Sequence, residues 1–328
     1  MDDIIDGLIV TPAKAKALGH RYVEELSNPK NKKRGISSGI RSLDTVMNPL
    51  LPGQLMVVMA RPGGGKTSLM MHFVRESAKA WSSRDKKETI PPIAVSAEMA
   101  IEEIILRDIS HHLPVDSNEL SRGTYGDWDM AHKIVDKMYD EFPVIYIGHT
   151  LEKTGRRPRM SIENIWKSLA ALREKYQMSP ELVSIDYVQR LKLDKISRDR
   201  RGEVSEITEM CKDLALEYAT PVILGSQVGR QVEDRKPPIP TLQDAKETAN
   251  LEETADVILS LMRPSKYYQV GEKIPGTKDG MMCTEELFYI NLIKQRQGVG
   301  DKGFWCHFDM AISRLSDLEF VDMNESMY

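Results

Sequence analysis

The stretch "ARPGGGKTSLM", Ala60 to Met70, holds residues whose types and order suit phosphate chemistry. Gly63, Gly64 and Gly65 let the backbone turn its N–H groups toward phosphate oxygens. Lys66 brings a positive charge to the β and γ phosphates, and Thr67 offers a hydroxyl to Mg²⁺. The stretch departs from G-x-x-x-x-G-K-[ST] at the first position, where Ala60 stands. Alanine is small, but it takes positive φ less readily than glycine. Hydrolysis also needs acids. Asp186 closes the apolar run "LVSID", where a carboxylate can reach Mg²⁺ directly or through water. Glu98 follows "PIAVSA" and can orient or deprotonate a water in line with the γ-phosphate. Taken alone, Glu98 is also an ordinary helix N-terminal acid. Gln227, just past "PVILGS", can sense the γ-phosphate or simply satisfy a loop.

Residues so far apart in the chain meet only if the fold gathers strand ends. Apolar runs at 55–60, 92–97, 143–148, 182–186, 221–226, 256–262, 287–293 and 303–308 read as strands. Several lack alternation, as in strands buried on both faces. Helical stretches such as 67–80 and 162–176 lie between the early ones, so an α/β fold with a largely parallel central sheet flanked by helices is expected. In such sheets ligands gather at the carboxyl ends of the strands, where Glu98, Asp186 and Gln227 all fall. A glycine-bearing turn between the last two runs predicts a terminal β-hairpin. The expected organisation is an N-terminal arm over 1–34, one domain over 35–318 and a tail over 319–328. Thr11 and Pro12 suit a helix start, and Leu18, Tyr22, Val23 and Leu26 then make a narrow apolar stripe.

Composition bounds the partners. The 328 residues are 41% hydrophobic and 29% charged, which is ordinary for a soluble globular chain. No run of about 18 apolar residues exists, so no membrane span is expected, and the acidic N-terminus is unlike a signal peptide. Cys211, Cys283 and Cys306 form no metal spacing and suggest no disulfide framework, so a cytoplasmic location is expected. With a net charge of −4, contacts to nucleic acid must come from local basic segments. Asn28 to Arg41 carries five basic residues and no acid; Gln189 to Gly202 carries six basic residues and two acids. On charge alone both are solvated loops.

Several segments in order resemble the C-terminal ATPase domain of DnaB-type replicative helicases, a branch of the RecA-like P-loop NTPase fold. They are "ARPGGGKTSLM", "SAEMAIEEIILRDIS", "ELSRGTYGDWDMAHKI", "IDYVQRL", the run from Arg200 to Arg235, "LQDAKETANLEETADVILSLMR" and "LIKQRQGVGDKGFWCHFD". The likeness covers about residues 12 to 315. The family's loop reads A-R-P-x-x-G-K-[ST], so Ala60, Arg61 and Pro62 are its mark. The resemblance implies ATP and Mg²⁺ as cofactors. It implies nucleotide contacts from Arg61, Pro62, Gly63, Gly64, Gly65, Lys66, Thr67, Ser68 and Arg107, and a catalytic role for Glu98. It also implies a homo-hexamer moving on single-stranded DNA at a replication fork, 5′ to 3′.

Lys294 and Arg296, in "KQRQG", match the family's basic finger, which reaches the γ-phosphate of the neighbouring subunit. DNA contacts are implied for Arg198, Arg200 and Arg201, and for Lys246, Glu247, Thr248, Ala249 and Asn250. The family usually shows R-E-S-G at the second segment; here lysine replaces the planar arginine fork and alanine replaces glycine. Thr11 to Ser27 resembles the family's linker helix. Only about 34 residues precede the ATPase domain, so the family's N-terminal collar domain is expected to be absent, with primase or a helicase loader as further partners and a phage or plasmid as the source. Two rival readings stay open: a RecA-like, filament-forming recombination ATPase, and a non-motor ATP-binding assembly or loading partner.

Overall fold

Strand β1 (Leu55–Ala60) is buried at every position. Its alternate side chains enter two different cores. Leu55, Val57 and Met59 face one cluster with residues of helices over 162–176 and 200–217, whereas Met56, Val58 and Ala60 face another with Leu69, Phe73 and Val74. A strand sandwiched in this way gains burial on both faces, so its sequence carries no polar alternation. Each fully buried Val or Leu contributes about 1.5–3 kcal/mol.

The computed structural model describes residues 10–27, 35–85, 87–152, 159–195, 199–247, 251–277 and 280–318. The chain divides into two units at Gly35 and Ile36. The first holds α1 (Pro12–Ser27), on which Leu18 and Val23 are exposed. The second opens with α2 (Arg41–Asp44), β1 and α3 (Lys66–Ser82). Then come β2 (Ile93–Ser96), α4 (Ile101–His112), α5 (Ser117–Arg122), α6 (Trp128–Glu141), β3 (Ile145–Ile147), α7 (Ile162–Tyr176) and β4 (Val183–Asp186). It continues with α8 (Arg200–Glu217), β5 (Val222–Gln227), α9 (Leu242–Glu247), α10 (Leu251–Thr254) and β6 (Val257–Met262). Last are β7 (Leu287–Gln295), β8 (Lys302–Asp309) and β9 (Arg314–Asp317).

One nine-stranded sheet has the order β3-β2-β4-β5-β1-β6-β7-β8-β9. Strands from β3 through β6 pair in parallel, and β7, β8 and β9 are added antiparallel. The expected largely parallel α/β sheet is present. The expected terminal hairpin, β7 and β8, is extended by a third strand. β9 has four residues, of which Leu315 alone is buried, so its apolar signal is faint. Its register is secured by Asp317, whose carboxylate accepts from the Arg41 and Ser42 N–H groups and the Ser42 hydroxyl.

Candidate nucleotide site and the opposite edge of the sheet

Ala60 is the last residue of β1, paired with Gln227 on one side and Leu261 on the other, and is fully buried. It is an extended strand residue, so the concern about positive φ does not arise. The tight position is Gly64: a Cβ there would lie 3.1 Å from the Ala60 Cβ and 2.8 Å from the Arg61 carbonyl oxygen. Left-handed backbone is needed later, at Gly63 (φ 67°) and Gly65 (φ 86°). A Cβ at Gly65 would strike the Phe288 ring at 2.6 Å. Gly65 is the N-cap of α3, so the loop delivers the ligand to the positive end of a 17-residue helix.

Lys66 is nearly buried. Its ammonium lies 2.9 Å from Asp186 Oδ1 and 4.4 Å from the centre of the Tyr187 ring. The Thr67 hydroxyl donates to Asp186 Oδ2 at 2.5 Å. Asp186 Oδ1 has the lysine charge beside it but, among the described residues, no partner in hydrogen-bond geometry. A hydroxyl and a carboxylate with an oxygen to spare make an all-oxygen donor set that fits a hard cation such as Mg²⁺. Among the described residues no group of three or more His, Cys, Asp or Glu side chains could hold a metal by itself. A cation held here would therefore complete its shell with phosphate and water.

Gly225 makes this meeting possible. A Cβ on it would come within 2.9 Å of Asp186 Oδ1, 3.0 Å of Met70 Sδ and 3.1 Å of Lys66 Cδ.

Glu98 and Gln227 line the same cleft, of about 670 Å³, as the loop, Ser68 and Arg107. A tight turn sets Glu98: the Ser96 hydroxyl donates to the Met99 carbonyl at 2.7 Å and accepts from the Met99 N–H at 3.1 Å. The Glu98 carboxylate stands 3.7 Å from Arg190 and is partly exposed, open to an approaching water. Gln227 is held by a residue that sequence reasoning missed. Gln189 accepts from the Gln227 N–H and donates to its carbonyl, both at 3.0 Å, clamping the end of β5. An amide three residues beyond Asp186 carries no signal by itself. Arg61 is held by Glu233 at 2.8 Å and by the Val228 carbonyl at 2.8 Å. Lys266 donates to the Pro62 carbonyl. Burial, then the nearby Arg61, lowers the Lys266 pKa. Arg263, which ends a segment that carries the resemblance, and Met310 and Ser313, which carried no motif signal, also line the cleft.

Lys294 and Arg296 lie elsewhere. β7 runs antiparallel to β6, with Gln295 opposite Val257, so its carboxyl end reaches the amino edge of the parallel strands. Asp256 accepts from the Leu55 N–H at 2.8 Å, which sets this edge five residues back from Ala60, about 17 Å along the strand. There the Arg296 Nε lies 3.3 Å from Asp256 Oδ1, and Lys212 donates to Asp256 Oδ2 at 2.6 Å. Lys294 donates to the carbonyls of Glu252 and, at 2.8 Å, Ala255. Burial, and then Arg296, lowers its pKa.

Of the expected DNA contacts, Arg200 turns inward: it pairs with Glu203 and donates to the carbonyls of Gln189 (2.6 Å) and Leu191 (3.0 Å). Burial raises the Glu203 pKa, but bonds from the Leu193 N–H and Arg200 outweigh it and hold the carboxyl below its usual range. Arg201 follows the Asp199 cap of α8, to which its N–H donates at 3.0 Å. Lys246 and Glu247 end α9. Arg198, Thr248, Ala249 and Asn250 lie outside the described residues.

Residues 35–316 match the DnaB-like helicase C terminal domain. A replicative DNA helicase DnaB of Leifsonia xyli is 32% identical over 250 residues, covering 75% of this chain and 51% of the relative. That of Buchnera aphidicola subsp. Baizongia pistaciae is 29% identical over 309 residues, covering 90% of this chain and 60% of the relative. The chain thus spans little more than half the length of these relatives. Among solved structures, one ATPase domain superposes with a TM-score of 0.76 at 22% identity, covering 94% of this chain and 100% of that one. A DnaB-like replicative helicase studied with primase gives 0.73 at 23%, covering 97% and 74%. At these identities the two structures establish the shared fold.

Proposed function

The chain belongs to the DnaB-like helicase C-terminal domain family, and from that premise we propose that it is an ATP-hydrolysing motor. It assembles as a homo-hexamer, travels 5′ to 3′ on single-stranded DNA and unwinds duplex at a replication fork. Residues 35–318 are the motor, and α1 in the arm over 1–34 joins neighbouring subunits. Primase or a loader is the further partner, in a bacterial or phage-infected cytoplasm; no helix among the described residues is long and apolar enough to cross a membrane.

One observation carries this reading. The phosphate loop, Asp186, Glu98 and Gln227 meet at the carboxyl ends of the strands, while Lys294 and Arg296 face away at the other edge. A strand cannot bend back about 17 Å to serve its own loop, so those cations complete a site only on another copy. A closed ring supplies that geometry at every interface.

In the mechanism, the glycine N–H groups and Lys66 hold the phosphates. Thr67 and Asp186 would hold Mg²⁺, which would supply charge neutralisation to the phosphates. Glu98 orients the attacking water and takes its proton, and Gln227, held by Gln189, senses the γ-phosphate. Lys294 and Arg296 from the adjacent subunit stabilise charge in the transition state. Arg107 meets the nucleoside side. DNA contacts come from the 198–201 segment, which Arg200 braces through Glu203 rather than contacting DNA itself, and from the 246–250 segment, multiplied sixfold around the ring. Such backbone contacts are strongly salt-dependent and largely indifferent to base sequence.

The test is unwinding of forked DNA by the full chain with ATP, alongside imaging of the particle. Rings of six and ATP-dependent unwinding are expected. Filaments on DNA would favour the recombination reading, and ATP hydrolysis indifferent to single-stranded DNA would favour the loading partner.

A further inference from the structure

Beneath the cleft lies a buried ion pair that the phosphate chemistry does not use. Arg75, two turns into α3, donates from Nη1 to Asp108 Oδ1 at 2.8 Å and from Nη2 to the Ser313 carbonyl at 2.9 Å. The Tyr146 hydroxyl donates to Asp108 Oδ2 at 2.8 Å. Arg75 is 7% exposed and Asp108 2%. Taking two charges out of water is costly, and apolar residues of equal volume would stabilise the core as well or better. The pair therefore needs a reason beyond stability.

Its position supplies one. Asp108 directly follows Arg107 on α4, so the same helical turn sends Arg107 to the cleft and Asp108 to Arg75. Ser313 sits in the β8–β9 turn, which gives Met310 and Ser313 to the same cleft. Its φ of 49° is one that non-glycine residues adopt at a cost, and its carbonyl is held by the guanidinium. The turn is tied to α4 and α5 as well: the Ser110 hydroxyl donates to the Ala311 carbonyl at 2.9 Å, as does the Ser117 N–H at 3.0 Å. Arg75 thus links the phosphate-loop helix by hydrogen bonds to both α4 and the turn. The planar guanidinium fixes the directions of both contacts, which an ammonium on a flexible stem does not.

We propose that Arg75 and Asp108 are positioning residues of the cleft. They fix the wall of Arg107, Met310 and Ser313, which receives the nucleoside end of the nucleotide while the loop receives its phosphates. This rests on the reading of the cleft as a nucleotide site.

The test compares ATP with inorganic tripolyphosphate, which has the phosphates and no nucleoside, on the full chain. In Arg75→Met/Asp108→Leu, which removes both charges at once, the KM for ATP should rise about tenfold, the worth of one charge-assisted hydrogen bond. Turnover at saturating ATP and inhibition by tripolyphosphate should stay as in the parent. An unchanged KM overturns the proposal. So does a parallel loss of tripolyphosphate binding, which would mean that the pair merely supports α3. Should circular dichroism show that the double variant does not fold, Arg75→Lys keeps the charge but loses the fork. Its KM for ATP should rise by a smaller factor with tripolyphosphate binding unaltered, and no rise overturns the proposal. A parent chain that binds neither probe would instead overturn the reading of the cleft itself.

Discussion

The two ends of the central sheet use charged side chains in opposite ways. At the carboxyl end, β1, β2, β4 and β5 each stop at or just before a polar residue, and Lys66, Glu98, Asp186 and Gln227 converge there. Lys66 and Thr67 are turned to one carboxylate that also has an oxygen to spare. At the amino edge, Asp256 gathers Lys212, Arg296 and a backbone N–H, while carbonyls take Lys294. One end leaves a carboxylate oxygen and an open cleft, and the other engages its two cations with Asp256 and with backbone carbonyls. The difference teaches that strand direction, not sequence distance, decides which residues share a site. Parallel strands pile their carboxyl ends together, whereas a single antiparallel strand carries its terminal residues to the far side.

The largest expected effects test whether the two ends belong to one reaction. Lys66→Ala should lower ATP hydrolysis by about 10³-fold or more, through loss of charge stabilisation on the phosphates. Arg296→Ala should lower it by about 10³-fold while ATP binding persists, because the finger acts on charge that develops in the transition state. Mixing the two inactive variants places intact loops beside intact fingers in some interfaces, so part of the turnover should return. No recovery in a steady-state ATPase assay of the mixture would break the pairing of the two ends.

An intermediate effect sharpens the carboxyl end alone. Gly225→Ala puts a methyl 2.9 Å from Asp186 Oδ1, and overpacking of this kind costs about 1–3 kcal/mol. A lower urea midpoint and slower turnover are expected. Wild-type values for both would show that Asp186 and Lys66 have room to move aside.

The smallest effect concerns pH. On α3, burial and then the Arg75 charge push the His72 pKa down from 6.5 to about 4, so the folded imidazole is neutral at pH 7. Below pH 6.5 the unfolded chain takes up a proton that the folded chain refuses. The stability is therefore fully present above pH 6.5 and is lost as pH falls through about 4. His72→Leu should flatten part of the fall in denaturant midpoint over that range, by about 1–2 kcal/mol. An identical pH profile would show that other groups set it.

Much of this arrangement was legible in the order of residues. Apolar runs without alternation announced strands buried on both faces, and the polar residue closing each run marked the binding end. The glycines, Lys66 and Thr67 stood in consecutive positions, so no tertiary information was needed to group them. Gln189, Glu233 and Gly225 were not legible. Each acts on a residue dozens or more positions away, and an amide, an acid or a glycine has no pattern of its own. β9 escaped for another reason: four residues with one buried side chain fall below any periodic signal.

By itself, then, the sequence determined the α/β class and the grouping of Gly63, Gly64, Gly65, Lys66 and Thr67 in one loop between strand and helix, because local spacing and burial periodicity encode them. Only the tertiary structure decided that Ala60 is a buried strand residue, that Arg75 meets Asp108, and that Lys294 and Arg296 have their charged ends held at the amino edge of the sheet, away from their own loop. Contacts between distant segments depend on the order and direction of strands in the sheet, and no stretch of chain records those until the strands have paired.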